Sequence, residues 1–291
     1  MKIGIVQQSN CEDEELNLNN SLTQINKLAG QGAELIILQE LHRTLYFCQS
    51  ESQQNFQLAE SLDGPTSTAL AKSAKDNQVV IVGSIFEKRT SGVYHNTAIV
   101  LDSDGSMVGF YRKMHIPDDP GYYEKYYFTP GDTGFKPIRC SLGKLGILIC
   151  WDQWFPEASR LMALAGAEIL VFPTAIGWDP EDSQEEKDRQ LDAWITIQRS
   201  HSIANNLPVV CVNRVGFETD NSNQSSGINF WGNSFVCDAM GRMILRCGNT
   251  QQEQWAVEID TTETVQQRIL WPYFRDRRID AYNDLTKRSI D

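Results

Sequence analysis

The chain has 291 residues, and 41% of them are hydrophobic, which is enough to bury a sizeable core within one large domain. Its formal net charge of -12 argues against nucleic acid as a partner, because phosphate binding needs a clustered basic surface. No apolar run approaches the roughly 20 residues of a membrane helix, which argues against a membrane as a partner.

Seven cysteines occur, an odd number, and none forms a C-x-x-C pair. Structural zinc sites typically use such pairs, and secreted disulfide frameworks typically use even numbers. The first residues, "MKIGIVQQ", lack the long apolar segment and the cleavage site of a signal peptide. We therefore expect free thiols, no structural zinc and a cytoplasmic location.

In the first half of the chain, short β-rich runs alternate with helical patterns. The stretch 17–30 carries apolar residues at a spacing typical of a helix, namely Leu18, Leu22, Ile25 and Leu28. In chain order the patterns predict a strand over 2–8, a helix over 17–30, a strand over 34–40, a helix over 67–77, a strand over 79–87 and a hairpin over 94–113 that turns at Asp104-Gly105.

The second half of the chain repeats this order. It is predicted to contain strands over 143–151, 167–175 and 207–215, helices over 156–167 and 187–205, and a hairpin over 230–247 that turns at Met240-Gly241. Because the strands are apolar throughout, we predict two sheets, each covered by helices on one face. No linker interrupts the pattern, so residues 1–291 are predicted to form one domain, with 262–291 as a tail that packs on a neighbouring surface.

Cys150 stands where a predicted strand gives way to a predicted helix, in the stretch "KLGILICWDQWFPEASR" (144–160). The end of such a strand lies at the sheet edge where α/β proteins place their sites. Pro156 suits the first turn of a helix, and a nearby helix N-terminus lowers the pKa of a thiol. Backbone N–H groups near Trp151 can bind a developing oxyanion. The alternative is a buried cysteine that packs as a small hydrophobic residue.

Two other strand ends carry residues with complementary chemistry. Glu40 ends the predicted strand "ELIILQE", and Lys113 follows the second strand of the first hairpin. Taken alone, Glu40 is readily interpreted as the solvated end of a strand, and Lys113 as a surface residue. Together with Cys150 they form a set in which a thiolate attacks a carbonyl, a carboxylate transfers protons and an ammonium stabilises the oxyanion.

The sequence around these three residues resembles the nitrilase superfamily of carbon–nitrogen hydrolases. The stretch "GILICWDQWFPEASR" matches the nucleophile motif of that family, and "YRKMHIP" matches its lysine motif. The catalytic Glu-Lys-Cys set of the family then corresponds to Glu40, Lys113 and Cys150. A second family glutamate, which hydrogen-bonds the lysine and helps to position the substrate, corresponds to Glu124 in "GYYEKYYFTPGD".

This resemblance covers nearly the whole chain and implies an α/β fold, a four-layer α-β-β-α sandwich of two mixed β-sheets. It also implies hydrolysis without a metal or an organic cofactor. Family members usually form dimers or larger assemblies, so a homo-oligomer with the tail 262–291 in its subunit contacts is expected. Within the family, the stretches 116–135, 150–180 and 270–282 are similar to enzymes that hydrolyse a small cationic ureido substrate.

Five side chains are predicted to bind that substrate. Asp179, in "GWDP", stands where those relatives carry a glutamate that receives the cationic end of the substrate. Trp151, Trp154 and Trp178 are predicted to form an apolar sleeve for its four-carbon chain, and Tyr123 to line the pocket. Packing within the core is the ordinary alternative for such aromatic residues.

Two other functions stay open. A carbamoyl or ω-amide substrate that carries a carboxylate requires Arg or Lys where this chain offers Asp179. A non-catalytic binding or scaffold subunit, by contrast, has no need to keep Glu40, Lys113 and Cys150 together.

Histidines and acidic residues suggest two further kinds of site. A Cys-His mechanism has four candidate histidines, at positions 42, 95, 115 and 201, although hydrogen bonding that supports the site is the other interpretation for 42 and 115. The acidic stretch 179–188 lacks the glycine and the alternating ligands of a calcium loop, which favours a solvated helix start.

Overall fold

The computed structural model describes residues 1–220, 222 and 226–291. The strands are β1 (Lys2–Gln7), β2 (Leu35–Leu38), β3 (Val80–Thr90), β4 (Val93–Leu101), β5 (Met107–Arg112), β6 (Ile138–Cys140), β7 (Gly143–Ile147), β8 (Ile169–Thr174), β9 (Gly177–Trp178), β10 (Val209–Asn213), β11 (Val215–Glu218), β12 (Ile228–Trp231), β13 (Phe235–Cys237), β14 (Met243–Arg246) and β15 (Glu253–Glu258).

The α-helices are α1 (Glu14–Gly30), α2 (Pro65–Asn77), α3 (Glu124–Tyr127), α4 (Pro156–Leu164), α5 (Gln184–Asn205) and α6 (Glu263–Leu270). Short 3₁₀ helices cover Phe47–Gln49, Gln53–Leu58, Cys150–Trp154, Ile279–Ala281 and Asn283–Thr286. Within the described ranges, no helix combines the length and the apolar character that crossing a membrane requires.

The two large sheets have the same topology. The first has the strand order β15-β1-β2-β3-β4-β5, and the second has the order β6-β7-β8-β10-β13-β14. In both, successive neighbours run antiparallel, parallel, parallel, antiparallel and antiparallel. The repeat seen in the sequence is therefore a repeat in the fold. The α/β class and the four-layer α-β-β-α sandwich of two mixed sheets are confirmed.

Side chains of the central strands alternate between two cores. On β2, Leu35 and Ile37 belong to the core between the two sheets, whereas Ile36 and Leu38 belong to the core beneath α1 and α2. Because successive strand side chains point to opposite faces, a sheet that is covered on both sides needs apolar residues at every position. This explains the unbroken apolar runs in the sequence.

Several boundaries differ from the prediction. The strand expected over 143–151 ends at Ile147, and the strand expected over 207–215 divides into β10 and β11. Residues 230–231 belong to β12, which forms a small third sheet with β9 and β11, and the second hairpin starts only at β13. The tail contains α6 and carries many exposed residues, and its role in subunit contacts stays a prediction.

Candidate active site

A buried lysine joins two carboxylates at one end of the sandwich. Lys113 directly follows β5, and its Nζ donates to Glu40 Oε1 over 2.8 Å. The same Nζ lies 2.9 and 2.7 Å from the two carboxylate oxygens of Glu124, which begins α3. All three residues have 0% exposure. Since a buried charge requires a partner, this arrangement keeps a cation and two anions in one dry cluster.

Two further donors orient the carboxylates. Asn96 Nδ2 donates to Glu40 Oε1 over 2.7 Å, and the Tyr46 hydroxyl donates to Glu124 Oε1 over 2.7 Å. Glu40 Oε2 is buried and has no hydrogen-bond partner within the part of the chain that the structure describes. One oxygen of Glu40 is thus held by two donors, while the other is free to take up a proton.

Cys150 begins the 3₁₀ helix Cys150–Trp154 in a left-handed backbone conformation, with φ of 42°. This conformation is uncommon for a residue other than glycine, and at functional sites it usually marks a turn that aims a side chain. The thiol is 4% exposed, and its Sγ lies 3.8 Å from the Ala175 carbonyl oxygen after β8. Despite its burial, Cys150 is one of the residues that line an open cavity.

The pKa of Cys150 is raised well above its usual value, contrary to the sequence-based expectation of a lowered pKa. Burial is the main cause, and the negative charge of Glu40 adds to it, while Lys113 acts in the opposite direction. The helix begins at Pro156 as predicted, but the 3₁₀ helix Cys150–Trp154 separates Cys150 from its N-terminus. The resting thiol therefore keeps its proton and needs a base.

The charge of Lys113 is secured by its neighbours. Burial disfavours the ammonium, but Glu124 and then Glu40 outweigh that effect and raise the pKa of Lys113 well above its usual value. Burial also raises the pKa of Glu124, with Lys113 opposing the shift. A buried ammonium that keeps its charge is suited to stabilising a negative oxygen on a bound substrate.

The turn that carries Cys150 is anchored by Asp152. Its Oδ1 accepts from the backbone N–H of His115 over 3.0 Å and lies 2.7 Å from the His115 ring Nδ1. Its Oδ2 accepts from the Tyr111 hydroxyl and the Ile149 N–H, both over 2.9 Å. Tyr111 and His115 stand two residues before and after Lys113, so Asp152 connects the turn at Cys150 to the segment around Lys113.

Histidines do not appear among the described residues that line the Cys150 cavity. His115 supports Asp152, and the Nδ1 of His42 lies 3.2 Å from the Ser21 hydroxyl. His201 lies 2.7 Å from the backbone carbonyl of Gln153 through its Nε2. The geometry favours supporting roles for these residues over a Cys-His pair. In the described ranges no group of three His, Cys, Asp or Glu side chains is arranged to hold a metal ion.

The cavity beside Cys150 has a volume of about 380 Å³. Its aromatic lining consists of Tyr122, Trp151, Trp154 and Trp231. Its charged lining consists of Asp119, Asp179, Asp182 and Arg189. An aromatic wall beside the thiol and a predominantly acidic set of charges fit a substrate with an apolar chain and a positive end.

The structure brings three of the five predicted binding residues to this cavity, namely Asp179, Trp151 and Trp154. Trp178 and Tyr123 do not line it. Trp178 is 7% exposed, and its indole N–H donates to the Lys187 carbonyl over 2.9 Å. Tyr122, the neighbour of Tyr123, lines the cavity instead and accepts from the Gly177 N–H over 3.0 Å.

The sequence does not predict the residues that hold the site groups in place, such as Asn96, Tyr46 and Asp152. Asn96 stands between His95 and Thr97 in β4, so the sequence does not mark it, yet the structure buries it fully. A buried polar side chain in such a strand needs a specific partner, which here is Glu40.

Comparison with known proteins agrees with this geometry. Residues 2–268 match the carbon-nitrogen hydrolase family. The N-carbamoylputrescine amidase of Oryza sativa is 40% identical over 287 residues, which cover 98% of this chain and 94% of that protein. The citrullinase of Francisella tularensis is 38% identical over 288 residues, which cover 99% of each. The crystal structure of a carbon-nitrogen hydrolase from Helicobacter pylori G27 has a TM-score of 0.97 and 49% identity, and the match covers 100% of this chain and 99% of that one. The resemblance found in the motifs is thereby confirmed, and this chain belongs to the carbon–nitrogen hydrolase family, the nitrilase superfamily.

Proposed function

We propose that this amidase hydrolyses N-carbamoylputrescine to putrescine, ammonia and carbon dioxide, and so takes part in polyamine synthesis from arginine by way of agmatine. The observation that supports this substrate is the predominantly negative charge of the cavity beside Cys150, whose described lining includes three aspartates and one arginine. N-carbamoylputrescine has a ureido group at one end of a four-carbon chain and an ammonium at the other. The ureido carbon goes to Cys150, and the ammonium lies among the aspartates.

The one arginine in the described lining is already paired. Arg189 donates through Nε and NH2 to the Glu186 carboxylate over 2.8 and 2.6 Å, and its side chain is 72% exposed. A substrate carboxylate at this position therefore competes with Glu186 and with water for Arg189, and it also meets the repulsion of Asp179. These features favour a substrate with a positive end over one with a free carboxylate.

The reaction begins when the Cys150 proton passes to Glu40 Oε2 and the thiolate attacks the ureido carbon. The negative oxygen of the tetrahedral intermediate is stabilised by the Lys113 ammonium. The bond between the ureido carbon and the terminal nitrogen then breaks, and Glu40 gives its proton to that nitrogen. Ammonia departs, and a carbamoyl thioester remains on Cys150. Water then attacks the thioester carbon, with its proton passing to Glu40 and from there to the departing sulfur. The released carbamate decomposes to putrescine and carbon dioxide.

Citrulline is the second candidate, because a citrullinase is among the relatives and covers 99% of this chain. Citrulline carries the same ureido group, with an α-carboxylate and an α-ammonium at the other end of the chain. The acidic lining accommodates the ammonium of both compounds, so the α-carboxylate is the feature that separates them.

A series of ureido compounds tests the charge preference. We expect kcat/KM for ammonia release to fall in the order N-carbamoylputrescine, N-butylurea, N-carbamoyl-β-alanine, with about tenfold or more between the first two, because only the first places an ammonium among the aspartates. N-butylurea is the matched control, since it keeps the four-carbon chain without the charge. Citrulline is expected to react at least about tenfold more slowly than N-carbamoylputrescine. A higher kcat/KM for citrulline or for the anionic compound contradicts the proposal.

Asp179→Asn tests the contact with the substrate ammonium. Asp179 is exposed, so its attraction is screened by water, and we expect KM for N-carbamoylputrescine to rise only about fivefold, with kcat retained. N-butylurea has no charge to lose, and its KM is expected to stay the same in this variant. Asp188→Asn, an exposed aspartate on α5 outside the cavity lining, is the matched control. An equal rise in KM for both compounds counts against a role for Asp179 in charge recognition.

A further inference from the structure

A fully buried arginine lies behind the active site and does not line its cavity. Arg214 follows β10 of the second sheet and has 0% exposure. Its guanidinium donates to three backbone carbonyls of the segment that follows β2 in the first sheet. These are Glu40 over 3.1 Å, Leu41 over 2.8 Å and Thr44 over 2.9 Å. An arginine of one sheet thus holds the backbone that carries the base of the other sheet.

The segment held by Arg214 includes an unusual turn. Leu41 has φ of 48°, in the left-handed region that a branched side chain rarely adopts. This turn comes directly after Glu40, so the contacts that hold the turn also hold the backbone of Glu40. Because the carbonyls on both sides of Leu41 Cα accept from the same NH2 group of Arg214, the strained turn is fixed by a contact outside its own segment.

Glu218, the counter-ion of Arg214, is linked through Tyr46 to Glu124, the second carboxylate of the site. Glu218 Oε1 accepts from Arg214 NH1 over 2.7 Å, and Glu218 Oε2 accepts from the backbone N–H of Tyr46 over 2.6 Å. The hydroxyl of the same tyrosine donates to Glu124 Oε1 over 2.7 Å. The Arg214–Glu218 pair therefore bonds to the backbone of Glu40 and to the backbone of Tyr46, whose hydroxyl holds Glu124. Glu40 and Glu124 are the two carboxylates that hold Lys113.

Another buried ion pair shows that such pairs need not serve the site. Arg112 donates to Glu87 with side-chain exposures of 7% and 2%, close to the values of 0% and 2% for Arg214 and Glu218. In the described part of the chain, the side-chain hydrogen bonds of Glu87 are with Arg112 and the Thr97 hydroxyl, and none of them involves Glu40, Glu124 or Cys150. Burial and charge are comparable in the two pairs. Arg112 directly precedes Lys113 in the chain, but the Arg112–Glu87 pair joins side chains, whereas Arg214 and Glu218 bond to the backbone of Glu40 and Tyr46.

We propose that Arg214 and Glu218 are positioning residues for the reaction, which fix the backbone of Glu40 and Tyr46 so that Glu40 Oε2 faces the Cys150 thiol. This inference rests on the proposed role of Glu40 as the base, and it does not depend on which ureido compound is the substrate. Loss of the pair is expected to slow proton transfer from Cys150 while leaving the substrate cavity in place.

The variant Arg214→Lys keeps the charge and removes the planar fork that holds several carbonyls at once. We expect kcat for ammonia release to fall about 10- to 100-fold, with KM changed less than twofold, because the cavity residues are untouched. A second readout is the rate at which iodoacetamide alkylates Cys150, which also needs the thiol proton to leave. This rate is expected to fall in the same proportion as kcat, and it can be measured without a known substrate.

The matched control is Glu87→Gln, compared with Glu218→Gln, since each removes the charge of a buried carboxylate from an arginine. Both are expected to lower the melting temperature, but only Glu218→Gln is expected to lower kcat and the alkylation rate. If Arg214→Lys gives no cooperative melting transition, the Glu218→Gln comparison decides the question. Equal kcat and alkylation rates in Glu218→Gln and Glu87→Gln, or unchanged rates in a folded Arg214→Lys, overturn the proposal. If the unmutated enzyme has low activity on N-carbamoylputrescine while the alkylation rates of the variants change as expected, the substrate assignment is overturned and the positioning proposal stands.

Discussion

Replacing Cys150 with alanine is expected to abolish ammonia release, with kcat reduced by a factor on the order of 10⁵ or more. No other thiol among the described residues lines the cavity, so nothing else there can form the thioester. The substitution removes one buried sulfur atom and keeps a side chain with the same backbone restrictions, so the melting temperature is expected to change by only a few degrees. Ammonia release and thermal unfolding measured on the same preparation check both expectations.

Cys211→Ala is the matched control for this experiment. Cys211 lies on β10 with 0% exposure and belongs to the core between the sheets, so its loss is expected to lower stability and leave kcat unchanged. Mass spectrometry after an acid quench is expected to show the unmodified enzyme plus the substrate minus ammonia, and Cys150→Ala is expected to lack this adduct. Ammonia release by Cys150→Ala above the rate without enzyme refutes the nucleophile assignment.

Glu40→Gln is expected to reduce kcat about 10³-fold with little change in fold. The amide oxygen of glutamine can still accept from Lys113 and Asn96, as Glu40 Oε1 does over 2.8 and 2.7 Å. The amide nitrogen then stands in the place of Oε2, where it cannot take a proton from Cys150. Burial is the main cause of the raised pKa of this thiol and remains in the variant, so the thiol keeps its proton even though the charge of Glu40 no longer adds to the shift.

The alkylation rate of Cys150 separates this explanation from a loss of substrate binding. We expect the rate with iodoacetamide to fall together with kcat in Glu40→Gln, while the protection of Cys150 by added substrate is retained. The pKa of Lys113 is also expected to fall, because Glu40 is one of the two carboxylates that raise it. Normal alkylation of Glu40→Gln combined with lost turnover is incompatible with Glu40 as the base for the first step.

The fold could be predicted from the sequence because its signals are local. The apolar runs and helical spacings identify β1, β2, α2 and their counterparts in the second half, and the order of elements then leaves few arrangements of two covered sheets. Strands such as β15 gave too little signal, since β15 is only partly buried and pairs with β1 from the other end of the chain. Such pairing is decided by tertiary contacts that a local pattern does not record.

The candidate site, like the fold, has some features that the sequence predicts and others that it does not. Glu40, Lys113 and Cys150 follow predicted strands, and their chemistry together with the family motifs indicates a reaction without any knowledge of the folded structure. The direction of the Cys150 pKa shift could not be predicted, because it depends mainly on how completely the folded chain buries the thiol. Tyr122 and Tyr123 differ by one position, and the choice between them depends on how the turn before α3 is oriented.

Residues that act through the backbone are the hardest to predict. Arg214 is separated from Glu40 by 174 positions, and the contact involves a carbonyl that every residue possesses. No pattern of side chains therefore marks the pair in the sequence. Only the packing of the two sheets shows which arginine meets which turn.

The division of the reacting groups between the two sheets has a practical consequence. A cut between α3 and β6 leaves Glu40, Lys113 and Glu124 on one fragment and Cys150 on the other. Neither fragment holds both Cys150 and Glu40, yet β15 of the second fragment pairs with β1 of the first and offers a route to reassembly. We therefore expect ammonia release only from the two fragments together, which is the behaviour that a split reporter needs.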